Sequence, residues 1–206
     1  MKKYDYIFLD FDGPILDGRN RHYCCYKDIL KKYGGNPIEL NDYWEMKRNK
    51  VDRRTLLKLS NFQGSYDDYM REWLLRIEQT KYLQYDILQP NTFAAIEILN
   101  KQAEHLYLVT MRQSRENLDW QLQHLHIENL FEKVLCDMLD QKQTKYDLIK
   151  DISFRNALFI GDTEIDVNTA KKCKIEFRGV LNGLRNIQSF QDEKVYPDLY
   201  QLTKNL

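Results

Sequence analysis

Two carboxylates one residue apart close an apolar run near the start of the chain, Tyr6-Ile7-Phe8-Leu9-Asp10-Phe11-Asp12-Gly13. Aspartate is disfavoured in strands and costly to bury unpaired, so an aspartate ending such a run needs a partner or a task. Asp10 and Asp12 point to the same side if strand geometry persists, and Gly13 lets the backbone turn sharply behind them. The same segment also reads as a strand followed by an Asp-Gly turn. Further along, Leu106-Tyr107-Leu108-Val109 passes into Thr110-Met111-Arg112. A hydroxyl followed by free backbone amides at a strand–helix junction makes a nest for phosphate; Thr110 also suits a plain helix or turn cap. Ala157-Leu158-Phe159-Ile160 passes into Gly161-Asp162-Thr163-Glu164-Ile165-Asp166. Asp162 and Asp166 share one face if a helix begins near Asp162, and the other reading is an aspartate cap with an acidic first turn. Lys145 opens a short helical stretch before that strand. A single lysine is ordinarily solvated, and here only its order in the chain suggests otherwise.

Considered as a set, these residues complement one another. Asp10, Asp12, Asp162 and Asp166 gather anionic oxygens at one sheet edge, while Thr110, Lys145 and loop amides supply donors. Oxygen ligands without His or Cys suit a hard ion, and Mg²⁺ prefers a few carboxylates with waters and substrate phosphate. A phosphate and a Mg²⁺ beside a carboxylate nucleophile is the arrangement that aspartyl-phosphate chemistry needs. Like charge otherwise keeps a carboxylate away from a dianionic phosphate. The cation and the lysine offset that repulsion.

The elements that must position these residues alternate. Apolar runs at Tyr6–Leu9, Leu106–Val109, Ala157–Ile160 and Ile175–Val180, with a weaker one at Lys133–Cys136, read as buried parallel strands. Helical patterns lie between them: Thr92–Ala103 after an Asn91 cap, Ser114–Leu125 with Ser114 as cap, Thr144–Asp151 and Glu164–Cys173. The order predicts an α/β fold, an open parallel sheet covered by helices, with ligands at the carboxyl ends of its strands. From Asn20 to about Tyr85 there is no convincing strand. Helices are expected at His22–Tyr33, Leu40–Arg48, Arg53–Leu59 and Tyr66–Tyr82, punctuated by Gly34-Gly35-Asn36-Pro37 and Gln63-Gly64-Ser65. Residues 1–17 and 90–206 therefore form the core, and residues 18–89 a small all-helical lobe inserted after the first strand.

Composition narrows the partners. The 206 residues are 43% hydrophobic and 30% charged, with 31 basic residues against 31 acidic ones, so no global field draws the chain to nucleic acid or a membrane. The N-terminus enters the first strand at once, which predicts no cleavable signal peptide and a cytoplasmic protein. No apolar run approaches the roughly 20 residues needed to span a bilayer. Cys24, Cys25, Cys136 and Cys173 show no CxxC pair or zinc spacing and read as reduced thiols. Oligomeric state is not legible.

The motifs resemble those of the haloacid dehalogenase-like (HAD) hydrolase superfamily over nearly the whole chain. Asp10-Phe11-Asp12-Gly13 is similar to its first motif, Val109-Thr110 to the second, Lys145 to the third and Gly161–Asp166 to the fourth. The helical insert, Glu164-Ile165-Asp166-Val167 and Asn182-Gly183-Leu184-Arg185 resemble the phosphoglycolate phosphatase-like branch. The resemblance implies a Rossmann-like core with a helical cap, Asp10 as nucleophile and Asp12 as acid/base. It implies phosphate binding by Thr110, Met111, Arg112 and Lys145. It also implies Mg²⁺ held by Asp10, the backbone carbonyl of Asp12, and Asp162, with Asp166 acting directly or through water and Lys145. Lys142 competes with Lys145 for the third motif, and Thr144-Lys145-Tyr146-Asp147 is the better match. Pro14 stands where relatives often have Thr; it lacks an amide donor and stiffens the turn.

The expected activity is hydrolysis of a small phosphorylated metabolite. A phosphomutase of the β-phosphoglucomutase type uses the same core, and a non-catalytic binding protein on this fold would need none of the five polar residues Asp10, Asp12, Thr110, Lys145 and Asp162. Within the insert, Arg19, Arg21, Lys47, Arg48, Lys50, Arg53 and Arg54 are candidates to read a second anionic group or to form a solvated face. Tyr43, Trp44, Tyr69 and Trp73 read as that lobe's core.

Overall fold

The computed structural model describes residues 2–138 and 144–206. In chain order its elements are β1 (Tyr4–Leu9), β2 (Leu16–Asp17), α1 (Arg19–Tyr33), α2 (Leu40–Arg48), α3 (Arg53–Leu59), α4 (Tyr66–Arg76), α5 (Thr80–Leu83), β3 (Ile87–Leu88) and α6 (Thr92–Gln102). There follow β4 (Ala103–Arg112), α7 (Arg115–His124), β5 (Lys133–Met138), α8 (Lys145–Ile149), β6 (Ala157–Gly161), α9 (Glu164–Cys173), β7 (Glu176–Val180), β8 (Val195–Tyr196) and α10 (Leu199–Thr203). Two compact units result: the residues up to Asp17 together with Ile87–Leu206, and Gly18–Asp86.

The first unit is an α/β fold built on a six-stranded sheet in the order β5-β4-β1-β6-β7-β8, with every neighbouring pair parallel. Both faces of the sheet are covered, which is why its strands read as unbroken apolar runs. Ile7 and Leu9 pack with Ile96, Leu99, Leu118 and Leu122, while Phe8 faces the other way onto Val109, Phe159, Val167 and Phe177. Leu9 pairs with Leu108 on one side and Ile160 on the other. The adjacent strands β4, β1 and β6 therefore bring Thr110, Asp10 and Asp162 to the same end of the sheet.

Three features depart from the sequence expectation. β4 continues through Thr110 to Arg112 because those residues keep pairing with β5, Thr110 opposite Cys136, so the chain leaves the strand only after Arg112. The helix expected over Tyr66–Tyr82 is two helices, broken between Arg76 and Thr80. Trp73 and Tyr82 are both buried, and at about 100° per residue one straight helix would put positions nine apart on opposite faces. The two-residue strands β2 and β3 pair antiparallel with each other, and β8 adds the sixth strand; all are too short to show a period.

The helical unit has its own aromatic core. Tyr26 and Tyr43 stack at 4.6 Å, Tyr69 and Trp73 at 5.9 Å, and the Tyr26 hydroxyl bonds Ser60 Oγ at 2.5 Å. A reciprocal cap between Ser65 and Asp68 starts α4. Arg21 pairs with Asp86 at 3.1 Å, both side chains buried, so the two ends of the insert are tied within the unit. Arg53 lies over the Tyr69 and Trp73 rings and Arg54 over Tyr66. All four cysteines are free thiols. No helix among the described residues is long and apolar enough to cross a membrane.

Candidate active site

Asp10 follows β1 at the centre of the sheet and is buried. Its amide donates to Ile160 O at 2.9 Å, extending the pairing with β6 by one step. Its carboxylate is tied through one oxygen: Oδ1 accepts from the Phe11 amide at 2.8 Å and lies 2.6 Å from Lys145 Nζ. Gly13, at φ +96°, then turns the chain, and the turn is closed by Gly13 N donating to Leu16 O at 3.0 Å. Pro14 fits because that bond does not require its nitrogen. From the far side of the insertion, Gln89 Nε2 donates to Gly13 O at 3.1 Å.

Asp162 leaves β6 and Asp166 lies one turn into the following segment, but the helix begins at Glu164 with Thr163 as its cap. Asp166 is the reciprocal partner in that cap. Its Oδ2 accepts from Thr163 Oγ1 at 2.7 Å, Thr163 N at 3.0 Å and Asp162 N at 3.2 Å, and its Oδ1 accepts from Lys145 Nζ at 2.7 Å. The acidic pair read from the sequence is thus also a helix cap, and the cap aims the second carboxylate at the lysine. Lys145 is the first residue of α8, positioned by a reciprocal cap between Thr144 and Asp147. Lys142 lies outside the described residues.

Asp10, Asp162 and Asp166 each offer a carboxylate oxygen within 4.8 Å of the others, all three buried. Burial pushes Asp10 up to about 7, with Lys145 opposing and Asp166 and Asp12 adding to the rise. Burial also holds Asp162 well above the usual carboxylate range, reinforced by Asp10 and Asp166 and resisted by the Leu184 amide. For Lys145 burial disfavours the ammonium, but Asp10 and Asp166 outweigh it and keep the pKa above the ordinary lysine value. One ammonium against three carboxylates leaves negative charge uncompensated in a low-dielectric site, which is what a hard divalent cation relieves. Gly13 and Gly183 wall the cluster: a Cβ at either would collide with the Asp162 carboxylate. The donor set and its glycine cradle fit a small oxygen-loving ion.

Thr110 is buried in β4 and Met111 is half-buried. The Arg112 side chain goes to Asp12 at 2.9 Å and to Gln121 at 3.2 Å. The structure therefore gathers Asp10, Asp162, Asp166 and Lys145 into one charged cluster, and joins Asp12 to Arg112. Sequence reading gave no role to Gly183, Leu184, Gln89 or Gln121. Leu184 donates its amide to Asp162 Oδ2, and Gln121 is fully buried on an otherwise amphipathic helix, an anomaly in the sequence that marked a polar partner.

A search of curated protein sequences finds no match. Among solved structures, the fold is similar to a predicted phosphatase from Clostridium acetobutylicum (TM-score 0.74, 19% identity, 98% of this chain and 97% of that one). It is also similar to a predicted phosphoglycolate phosphatase from Haemophilus somnus 129pt (TM-score 0.74, 19% identity, 100% and 99%). A third is a subfamily IA HAD-superfamily hydrolase from Geobacter sulfurreducens (TM-score 0.70, 16% identity, 100% and 97%). The model of the haloacid dehalogenase-like hydrolase family matches residues 6–180, from the strand that delivers Asp10 to the one beyond Asp162, and the chain belongs to that family.

Proposed function

We propose that the protein is a Mg²⁺-dependent phosphatase that hydrolyses a small phosphorylated metabolite through an aspartyl-phosphate intermediate. The observation that carries this reading is the buried ammonium of Lys145 set between Asp10 and Asp166 beside Asp162. A scaffold would gain nothing from burying three like charges. Two of the similar solved structures are described as a predicted phosphatase and a predicted phosphoglycolate phosphatase.

In this mechanism Asp10 attacks phosphorus in line. Its Oδ1 is held by Lys145 and the Phe11 amide, which assigns the attack to Oδ2. Asp12 protonates the departing alcohol and afterwards takes a proton from the water that hydrolyses the aspartyl-phosphate. Lys145, Thr110 and amides at the strand ends stabilise the equatorial oxygens as charge develops on them. Asp10, Asp162 and the Asp12 carbonyl, with Asp166 directly or through water, would hold Mg²⁺, which when bound neutralises phosphoryl charge. Choice of substrate is assigned to the Gly18–Asp86 unit, whose basic residues such as Arg19, Lys47 and Arg54 are its candidates for reading an anionic group beyond the phosphoryl.

The test is phosphate release from a panel of sugar phosphates, phosphoglycolate, nucleotides and p-nitrophenyl phosphate, with Mg²⁺ and with EDTA. Mg²⁺-dependent release from at least one ester supports the proposal. Absence of release from all of them, by folded protein, overturns it.

A further inference from the structure

Arg112 ends β4 with a guanidinium that is almost wholly buried, its side chain 4% exposed. An unpaired guanidinium would not be tolerated there, so its partners identify its task. Nη2 lies 2.9 Å from Asp12 Oδ2 and also donates to Gln121 Oε1 at 3.2 Å, a second tether. Gln121 projects from α7 and is fully buried. The face of the Phe11 ring lies 5.4 Å from Cζ. Asp12, by contrast, keeps 39% of its side chain exposed. The burial is one-sided: the cation is sealed, the carboxylate partly exposed. Such a pair steers the anion without closing it off. Arginine suits this because its planar fork holds a defined direction where a lysine ammonium would not.

We propose that Arg112 is a positioning residue for Asp12. Gln121 and the Phe11 ring fix the guanidinium, the guanidinium fixes Oδ2, and Oδ1 becomes the oxygen that exchanges the proton. This rests on the phosphatase reading above. In the first half-reaction the bond from Asp10 to phosphorus forms and the bond to the ester oxygen breaks; that oxygen keeps the electron pair and takes the proton from Asp12 Oδ1. In the second, water oxygen bonds phosphorus, its proton passes to Oδ1, and the bond to Asp10 breaks to give phosphate and the free carboxylate. The role makes Arg112 matter most where the departing oxygen needs a proton. An alkyl phosphate needs one; p-nitrophenyl phosphate, whose leaving group departs as a stable anion, does not.

The experiment compares kcat/KM for glycerol phosphate and for p-nitrophenyl phosphate in wild type, Arg112→Gln, Asp12→Asn and the double variant. General acid catalysis contributes about 10²–10⁴-fold, so Arg112→Gln should lower kcat/KM for the alkyl ester by roughly 10–100-fold, carried in kcat, and for the aryl ester by no more than about threefold. Arg112→Gln should cost nothing further on the Asp12→Asn background, because it acts through that carboxylate. Gln121→Leu, which removes the tether to Arg112 and leaves the guanidinium in place, should give the same leaving-group signature in weaker form and remains informative if Arg112→Gln fails to fold. Equal losses on both esters, or a full additional loss in the double variant, would show that Arg112 binds substrate directly and overturn the proposal. Wild-type protein inactive on every ester would instead bring down the phosphatase reading itself.

Discussion

The ammonium of Lys145 lies 2.6 Å from Asp10 Oδ1, inside the protein and at the start of a helix that follows the fifth strand. The same ammonium is 2.7 Å from Asp166. It therefore sets one positive charge against two buried carboxylates. Lys145→Met should reduce turnover by at least about 100-fold, the usual cost of losing a donor aimed at developing charge. Breaking a buried ion pair from one side costs about 3–5 kcal/mol, so the metal-free variant should melt roughly 10 °C below wild type. Adding Asp166→Asn should recover part of the stability and none of the activity. Calorimetry and phosphate release on the same samples decide it; a stable, active Lys145→Met would remove the lysine from the site.

Asp10→Asn should abolish turnover and leave the fold intact, since the amide is nearly isosteric but a far poorer nucleophile. The pH dependence of stability gives a second readout. Burial raises Asp10 to about 7 in the folded protein, against about 3.9 when unfolded. Between those values the folded state keeps a proton that the unfolded state has released. The Asp10 contribution to metal-free stability should therefore fall as pH rises from about 4 to 7 and level off above, by at most about 4 kcal/mol, with the raised Asp162 adding a loss of the same sign. Asp10→Asn should flatten that slope in EDTA. Unfolding curves across this interval, equal in slope for both proteins, would contradict the account.

Asp12 and Asp162 should separate chemistry from metal binding. Asp12→Asn retains the backbone carbonyl, so the Mg²⁺ concentration for half-maximal activity should change little while kcat drops by about 10²–10⁴-fold. Asp162→Asn removes one buried anionic ligand and should raise that Mg²⁺ concentration instead. It also relieves repulsion from Asp10 and Asp166, the second and third contributions to its raised pKa after burial, so the metal-free variant should be at least as stable as wild type. Identical Mg²⁺ titrations for both variants and wild type would defeat this division.

Much of this was legible in residue order. Apolar runs fully covered on both faces announce themselves without ambiguity, which is why β1 and β6 and the carboxylates behind them could be placed from the sequence. The type of residue at each strand end then limited the chemistry to hard cations and phosphate. What was not legible depends on distance across the fold. Nothing local distinguishes an Arg112 that binds phosphate from one that holds Asp12, because the choice is made by Gln121 on the next helix. The break between α4 and α5 is set by the need to bury both Trp73 and Tyr82, a tertiary demand that overrides helix periodicity. Asp166 could be read as a cap or as a site residue; in the structure its carboxylate caps the helix through Thr163 and also accepts from Lys145.

Gly183 offers the most local test of the proposed metal site. It stands so close to Asp162 that a Cβ would overlap the carboxylate, and the next residue, Leu184, donates its amide to the same group. The glycine is thus required by close approach rather than by backbone conformation, and Gly183→Ala must push Asp162 aside. Displacing a ligand's support typically costs about 10–100-fold in metal affinity. Gly183→Ala should therefore shift the Mg²⁺ dependence of activity upward by at least about tenfold, while circular dichroism and the thermal transition in EDTA stay near wild type. Gly13→Ala should be worse on both measures, since it meets the same carboxylate and also holds φ +96°, which an alanine adopts only under strain. An unshifted Mg²⁺ titration for folded Gly183→Ala would mean that Asp162 does not reach the ion, and the metal would have to be assigned to other oxygens.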